Sequence, residues 1–195
     1  MKLGRMKARQ RKSGFGLIET MIVLAIVSMI LFVVIPYAMG RQNDKTGEVE
    51  GQRVVNLLRC GIEKGRLVTA LTTITLPVMI NQGCFGDIPN ITGLGTVGAS
   101  ATNSLTGEAY VVATVNLVGT NDGLTMATST RRKNCAGVVN GAAVAGAARI
   151  TVTPSGGAAV VVKAVNDVAV DIASTGLATA CGGAEPIAIT IAMAK

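Results

Sequence analysis

One carboxylate, that of Glu19, lies near the start of an apolar run that continues to Tyr37. A charged side chain at the centre of a membrane-spanning helix costs roughly 2.5–3.5 kcal/mol. The acid therefore needs either a partner of opposite charge or a position at the membrane surface, where it reaches headgroup water. Both explanations are open at this point.

Other residue types that could do chemistry are scarce. The 195-residue chain has no His and no Trp, so it lacks the commonest general base and metal ligand. We expect no enzyme activity, no cofactor and no metal site. Gly93–Gly98 fits the G-x-G-x-x-G pattern, but Pro89 and Asn90 precede it and small polar residues follow. A dinucleotide site needs a strand before and a helix after, so a loop is favoured.

The positive charge is concentrated at the N-terminus. The formal net charge is +7, and residues 1–14 carry six basic side chains and no acid. The remaining 12 basic residues face 11 acids, so the rest of the chain is nearly neutral. A short basic segment before an apolar run is typical of a targeting signal, so we do not expect nucleic-acid binding.

Two further groups carry weak signals. Arg131–Lys133 is the basic cluster that remains beyond the N-terminal segment, and we expect it in a solvated loop rather than against phosphate. Asp167 and Asp171 are four residues apart, with no third oxygen donor placed by the sequence, so they do not predict a calcium site.

The apolar run itself has three interpretations. Met21–Tyr37 is interrupted only by Ser28 and would span about 26 Å as a helix, enough with its flanks to cross a bilayer. It could be a plain anchor, or the core of a secretory signal peptide cut near Ala38–Gly40, although it is long for one. Pro36 either bends the helix or ends it.

The third interpretation explains the acid. The residues Ser13-Gly14-Phe15-Gly16-Leu17-Ile18-Glu19 resemble the processing site of type IV pilins and their pseudopilin relatives. In that family a peptidase cuts after the glycine and methylates the new N-terminal residue, often phenylalanine, and the fifth residue is glutamate. Glu19 is fifth after a cut at Gly14, and Pro36 falls where pilins often carry a helix-kinking proline.

The resemblance implies how the chain is divided, processed and localised. It predicts a leader at 1–14, a transmembrane and polymerisation helix at 15–40, and a periplasmic or extracellular domain at 41–195. Gly14 and Phe15 would form the cleavage site, Phe15 would be N-methylated, and Phe15 and Glu19 would act in assembly. The implied partners are other copies of the chain, the prepilin peptidase, the assembly machinery and the inner membrane; the implied destination is an extracellular pilus.

Beyond the apolar run, the pattern predicts an α+β domain. Arg41–Gly51 suggests a weakened helix or a linker. Val54, Leu58 and Ile62 share a helical face, which predicts a helix to about Thr72. A long loop is expected at 83–107, and 138–148 is too rich in Gly and Ala to assign. Strands are predicted at 108–118, 124–130, 148–153, 158–165, 168–172 and 187–194. An antiparallel sheet covering the helix matches the architecture of the resembled family.

The four cysteines, Cys60, Cys84, Cys135 and Cys181, all follow the apolar run and have no C-x-x-C spacing. If the basic flank stays cytoplasmic, they lie in an oxidising compartment where disulfides persist. Four cysteines allow three connectivities. We favour Cys60–Cys84, which would clamp the helix to the loop after it, and Cys135–Cys181, which the resemblance implies because pilins commonly have a disulfide near the C-terminus.

The function implied is a structural subunit of a type IV pilus. The leader and Phe15 are typical of type IVa pilins, whereas the chain length and two disulfides are typical of type IVb. A minor pilin or a type II secretion pseudopilin would show the same processing site. A membrane-tethered or secreted binding domain that never polymerises is the alternative from another class.

Overall fold

A computed structural model describes residues 16–67, 71–86, 90–165 and 175–195. The predicted leader, Gly14, Phe15, Asp167, Asp171 and the predicted strand at 168–172 lie outside these residues. The chain divides into two compact units, Met1–Met39 and Gly40–Lys195. We call the second unit the head.

The element order gives an α+β fold, as the sequence predicts. The helices are α1 (Leu17–Lys64), α2 (Leu76–Asn81), α3 (Arg132–Val144) and α4 (Thr175–Cys181), with 3-10 turns at Gly65–Leu67 and Leu71–Thr73. The strands are β1 (Ile91–Thr92), β2 (Ser100–Ala101), β3 (Val111–Val115), β4 (Gly123–Thr130), β5 (Arg149–Thr153), β6 (Val160–Lys163) and β7 (Ile187–Ala194). This arrangement is consistent with a pilin-like fold.

Five strands form one antiparallel sheet in the order β3-β4-β7-β5-β6. β7, the last strand in the chain, lies at the centre, where Ile191 is opposite Met126 of β4 and Ile150 of β5. Ile187, Ile189 and Ile191 are all fully buried. The C-terminal strand therefore joins the two halves of the sheet, and its bounds are those predicted from its β-branched run.

The head part of α1 supplies the helical face of the core. Val54, Val55 and Leu58 are completely buried, as their spacing predicts. The helix ends at Lys64, so the prediction of helix to about Thr72 was wrong. The chain continues as a 3-10 turn at Gly65–Leu67. A Cβ at Gly65 would lie 2.9 Å from Leu71 Cδ2, so the glycine leaves room for Leu71 at this end of the helix.

Glycines let α1 and α3 approach backbone to backbone. A Cβ on Gly51 would lie 2.1 Å from the Val138 carbonyl oxygen, and one on Gly141 would lie 2.1 Å from that of Glu48. Gly47 and Gly137 make the same kind of contact one turn away. Arg41–Gly51 is therefore regular helix rather than a linker, and residues 138–144 of the unassigned Gly/Ala-rich segment belong to α3, which ends at Val144. We call these four glycines the glycine seam.

The basic cluster is a correction. Arg131 is the N-cap of α3 and Arg132 is its first residue, so the cluster starts a helix instead of lying in a loop. Basic residues are unfavourable at a helix N-terminus. Here a carboxylate offsets them, because the Arg132 amide donates to Glu185 Oε1 at 2.7 Å. The Arg132 guanidinium also donates to the Gly183 carbonyl at 3.0 Å.

Loop chemistry shortens β3 relative to the predicted 108–118. The Asp122 carboxylate accepts the amides of Leu117 and Val118 at 2.7 and 2.8 Å, and that of Gly119, which turns the chain after Val115. These hydrogen bonds from backbone amides hold the pKa of the Asp122 carboxyl below its usual value. Among its described residues, the predicted loop at 83–107 contains the short β1–β2 ladder and a bridge between Thr102 and Ala109. The glycine-rich motif lies between β1 and β2, so the element that follows it is a strand and not a helix.

Two disulfides cross-link the head. Cys60 pairs with Cys84 at an S–S distance of 2.04 Å, and Cys135 pairs with Cys181 at 1.95 Å. These are the pairs expected from the resemblance. The first joins α1 to the segment after α2, and the second joins α3 to α4. The longer loop closes 46 residues, worth about 4 kcal/mol in the chain-entropy model.

The glycine seam makes a testable prediction. Gly51→Ala should lower the stability of the full chain in detergent by about 1–2 kcal/mol, because overpacking against the Val138 carbonyl exceeds the gain in helix propensity. Gly40→Ala is the matched control on the same helix, since its Cβ meets nothing within 4 Å. It should be neutral or slightly stabilising. Urea unfolding followed by circular dichroism measures both, and a Gly51→Ala chain as stable as wild type would contradict the close approach.

Candidate functional site

Glu19, the acid singled out from the sequence, lies in the first turn of α1 and is exposed. Its Oε2 accepts the Gly16 amide at 3.4 Å. A carboxylate in the first turn also interacts favourably with the helix dipole. The side chain is thus held near the helix start while remaining open to a group from another molecule. Its predicted partner, the Phe15 amine, lies outside the described residues, so that pairing remains a prediction.

The apolar part of α1 is uncovered. Every large apolar side chain from Leu17 to Ile35 is at least 44% exposed. Among the described residues, α1 is the helix long and apolar enough to cross a membrane, and none of its most apolar 18-residue stretch is buried. Two hydroxyls in this part are satisfied within the helix, because Thr20 donates to the Leu17 carbonyl and Ser28 to that of Ala25, both at 2.9 Å. The surface is suited to an apolar environment.

Position 36 does not end the helix. α1 runs as one assigned helix from Leu17 to Lys64, through Pro36. Of the two outcomes left open by the sequence, termination at the proline is therefore wrong. A bend at Pro36 stays a prediction.

The head contains a buried carboxylate that the sequence analysis missed. Glu50 of α1 is only 2% exposed. Its Oε1 accepts the hydroxyl of Tyr110, and its Oε2 accepts Arg53 Nη1 at 2.9 Å and the Ser104 hydroxyl at 3.4 Å. Both oxygens therefore have donors, as a buried charge requires. We call Glu50, Arg53, Ser104 and Tyr110 the Glu50 cluster.

The cluster keeps the tyrosine neutral. Burial is the main cause that raises the pKa of Tyr110, and the negative charge and hydrogen bond of Glu50 raise it further. The sequence did hold a signal for this site. Glu50 lies four and eight residues before Val54 and Leu58, so it falls on the buried face of α1, where an acid must find partners.

A second buried polar group fastens the segment between β2 and β3 to the sheet. Asn103 is fully buried, and its Nδ2 donates to Thr128 Oγ1 at 2.7 Å and to the Ser129 carbonyl at 2.5 Å. Its Oδ1 accepts the amides of Leu105 and Thr106, both at 2.8 Å. Together with Glu50, Asn103 fixes the chain that leads to Tyr110. The arrangement holds elements in place and leaves no oxygen of Glu50 unoccupied.

Comparison with known protein families gives one match. Residues 9–35 match the model described as the prokaryotic N-terminal methylation motif. The match covers Gly14, Phe15 and Glu19, and it indicates a type IV pilin-like class III signal peptide, which confirms the resemblance. The match supports the interpretation of the chain as a type IV pilin-like or pseudopilin protein. This interpretation points to a structural protein rather than an enzyme. No curated protein matches the chain.

The Glu50 cluster predicts alkaline sensitivity. Unfolding frees Tyr110 to ionise near its ordinary pKa of about 10, whereas the folded chain keeps its proton. The folded-state pKa is raised, so this contribution to stability is complete below about pH 10 and is lost as the pH rises further. Tyr110→Phe should remove this part of the decline and lower stability at pH 7 by about 1–3 kcal/mol, because Glu50 loses a donor.

Thermal unfolding at pH 7 to 11 measures both effects. Tyr37→Phe is the matched control, since the chain has two tyrosines. It should leave the stability at pH 7 close to that of wild type. An alkaline profile of Tyr110→Phe identical to that of wild type would show that Tyr110 does not report the burial described here.

Proposed function

We propose that this chain, which begins with a type IV pilin-like class III signal peptide, is a structural subunit of a type IV pilus filament. It is stored in the inner membrane, cut after Gly14, methylated at Phe15 and polymerised through the apolar part of α1 into an extracellular fibre. The observation that carries the proposal is the uncovered apolar part of α1, Leu17 to Ile35, which lies within the matched residues 9–35.

The uncovered helix requires two successive environments. Burying one large apolar side chain is worth about 1.5–3 kcal/mol, so the surface from Leu17 to Ile35 cannot face water. A bilayer satisfies it in the precursor. A bundle of the same helices satisfies it in a filament, because a helix that is apolar all round has no side that must stay wet.

Glu19 would then set the register between subunits. Cleavage after Gly14 creates a positively charged amine on Phe15. The Glu19 carboxylate of a neighbouring subunit can pair with it, at about 4 kcal/mol for 4 Å and an effective dielectric of 20, before desolvation is subtracted. The net gain of a buried pair is small, whereas a buried acid without its partner is strongly disfavoured. The acid therefore acts mainly by penalising misaligned subunits.

The mature N-terminus tests the processing step. Mass spectrometry of the protein from sheared filaments and from membranes should find N-methyl-Phe15 as the first residue. An end near Arg41 would instead indicate a secreted domain, and an intact Met1 a plain anchor. Abundance separates the remaining roles: a major subunit dominates the filament, whereas a minor pilin or pseudopilin is a trace component.

The Glu19 side chain tests the assembly step. Glu19→Ala should insert, be cut after Gly14 and fold, because an apolar residue favours insertion, yet its yield in filaments should fall at least about tenfold. Glu19→Gln, which keeps the shape and removes the charge, should show the same loss. Thr20→Ala is the matched neighbour and should assemble normally.

The measurement compares cleaved subunit in membranes with subunit in sheared filaments, in cells that lack any other pilin. A wild-type filament yield from both Glu19 variants would rule out the pairing. A failure of cleavage would place the role of the acid in processing rather than assembly.

A further inference from the structure

The two disulfides differ in their access to solvent. Cys135 is completely buried and Cys181 is 8% exposed. Cys60 and Cys84 are both only partly buried. An external thiolate has to reach a sulfur to exchange with it, so access is one of the factors that set the rate of reduction.

Cys84 also lines an open groove. The groove has a volume of about 530 Å³ and lies between α1 and the segment that follows α2. Gln52, Arg53 and Asn56 line it from α1, and Gly83, Phe85 and Gly86 line it beside Cys84. The adjacent glycines carry no side chains that would shield the sulfur, and the groove is wide enough for a thiol reagent to enter.

We propose that Cys60–Cys84 is a thiol–disulfide exchange site that an external dithiol can reduce while the head stays folded. One thiolate of the dithiol enters the groove and forms a bond to Cys84 Sγ, and the Cys60–Cys84 bond breaks with Cys60 leaving as a thiolate. The second thiolate of the reagent then displaces Cys84, which also leaves as a thiolate. The dithiol is oxidised to its cyclic disulfide by two electrons, and its two protons pass to Cys60 and Cys84.

The surrounding contacts explain why the fold survives. Cys84 is also held through its backbone, since its amide donates to the Met79 carbonyl at 3.0 Å, and neighbouring Phe85 is 1% exposed. On the other side of the bridge, α1 keeps its fully buried Val54 and Leu58. Cys135–Cys181, by contrast, joins α3 to α4 with Cys135 fully buried, so we expect its reduction to need partial opening of the fold.

The test follows thiol release in the purified full chain. The detergent-solubilised protein is incubated with dithiothreitol at pH 8 without denaturant, and samples are alkylated over time and mapped by mass spectrometry. Cys60 and Cys84 should be alkylated together, at least about tenfold faster than Cys135 and Cys181, because only the buried pair waits for opening of the fold. Circular dichroism should stay native while the first pair reacts.

Matched variants test the route through the groove. Asn56→Trp places a large ring in the groove and should slow reduction of Cys60–Cys84 by at least about fivefold through loss of access. Lys45→Trp adds the same ring at an exposed position of the same helix, outside the groove and about four turns before Cys60, and should not. Equal reduction rates for the two disulfides, loss of native circular dichroism in step with alkylation of Cys60, or equal effects of the two tryptophans would each overturn the proposal.

Discussion

The close contact between α1 and α3 along the glycine seam is the constraint around which the head is arranged. Helices that approach this closely need small residues at every crossing position, and Gly47, Gly51, Gly137 and Gly141 provide them. This close approach places Val138 of α3 in the core, where it is fully buried. It also sets where α3 presents its cysteine to α4. A side chain at a seam position would have to displace backbone, which cannot yield as a flexible side chain can.

α1 solves two different solvent problems along one helix. In the head, one stripe of the helix is buried in the core, and the opposite side is mainly polar and faces solvent. Toward the N-terminus the apolar residues surround the helix, and the hydroxyls of Thr20 and Ser28 turn back onto its own carbonyls. The same secondary structure thus serves water at one end and an apolar environment at the other, with side-chain pattern as the only difference.

Polar groups inside the head act as positional locks. Both oxygens of the Glu50 carboxylate accept hydrogen bonds. The side-chain amide of Asn103 donates through Nδ2 and accepts through Oδ1. A buried charge or amide that loses its partners is costly, so each such group favours a single arrangement of the segments it joins. Through Tyr110 and Ser104, these locks tie α1 to the chain that enters the sheet.

Local pattern determined much of this protein. The basic leader, the apolar run and Glu19 after Gly14 indicated the processing motif, and period-two runs placed β4, β5, β6 and β7 to within a few residues. These signals can be read from the sequence alone because each depends on residues that are close together in the chain. The predicted pairing of Phe15 with the acid of another copy depends on a second chain and stays a prediction.

Tertiary structure alone decided the rest. Glycines lower helix propensity, so the sequence left 41–51 open between a weakened helix and a linker and gave no assignment for 138–148. Gly47 and Gly141 nevertheless lie in regular helices, where their missing side chains let α1 and α3 pack backbone to backbone. The position of Glu50 on the buried face of α1 requires a donor, but only the fold shows that Tyr110, 60 residues away, supplies it. The Arg132 amide at the start of α3 finds its acceptor in Glu185, 53 residues away. In each case the deciding partner is distant in sequence, and a pattern of neighbours cannot contain it.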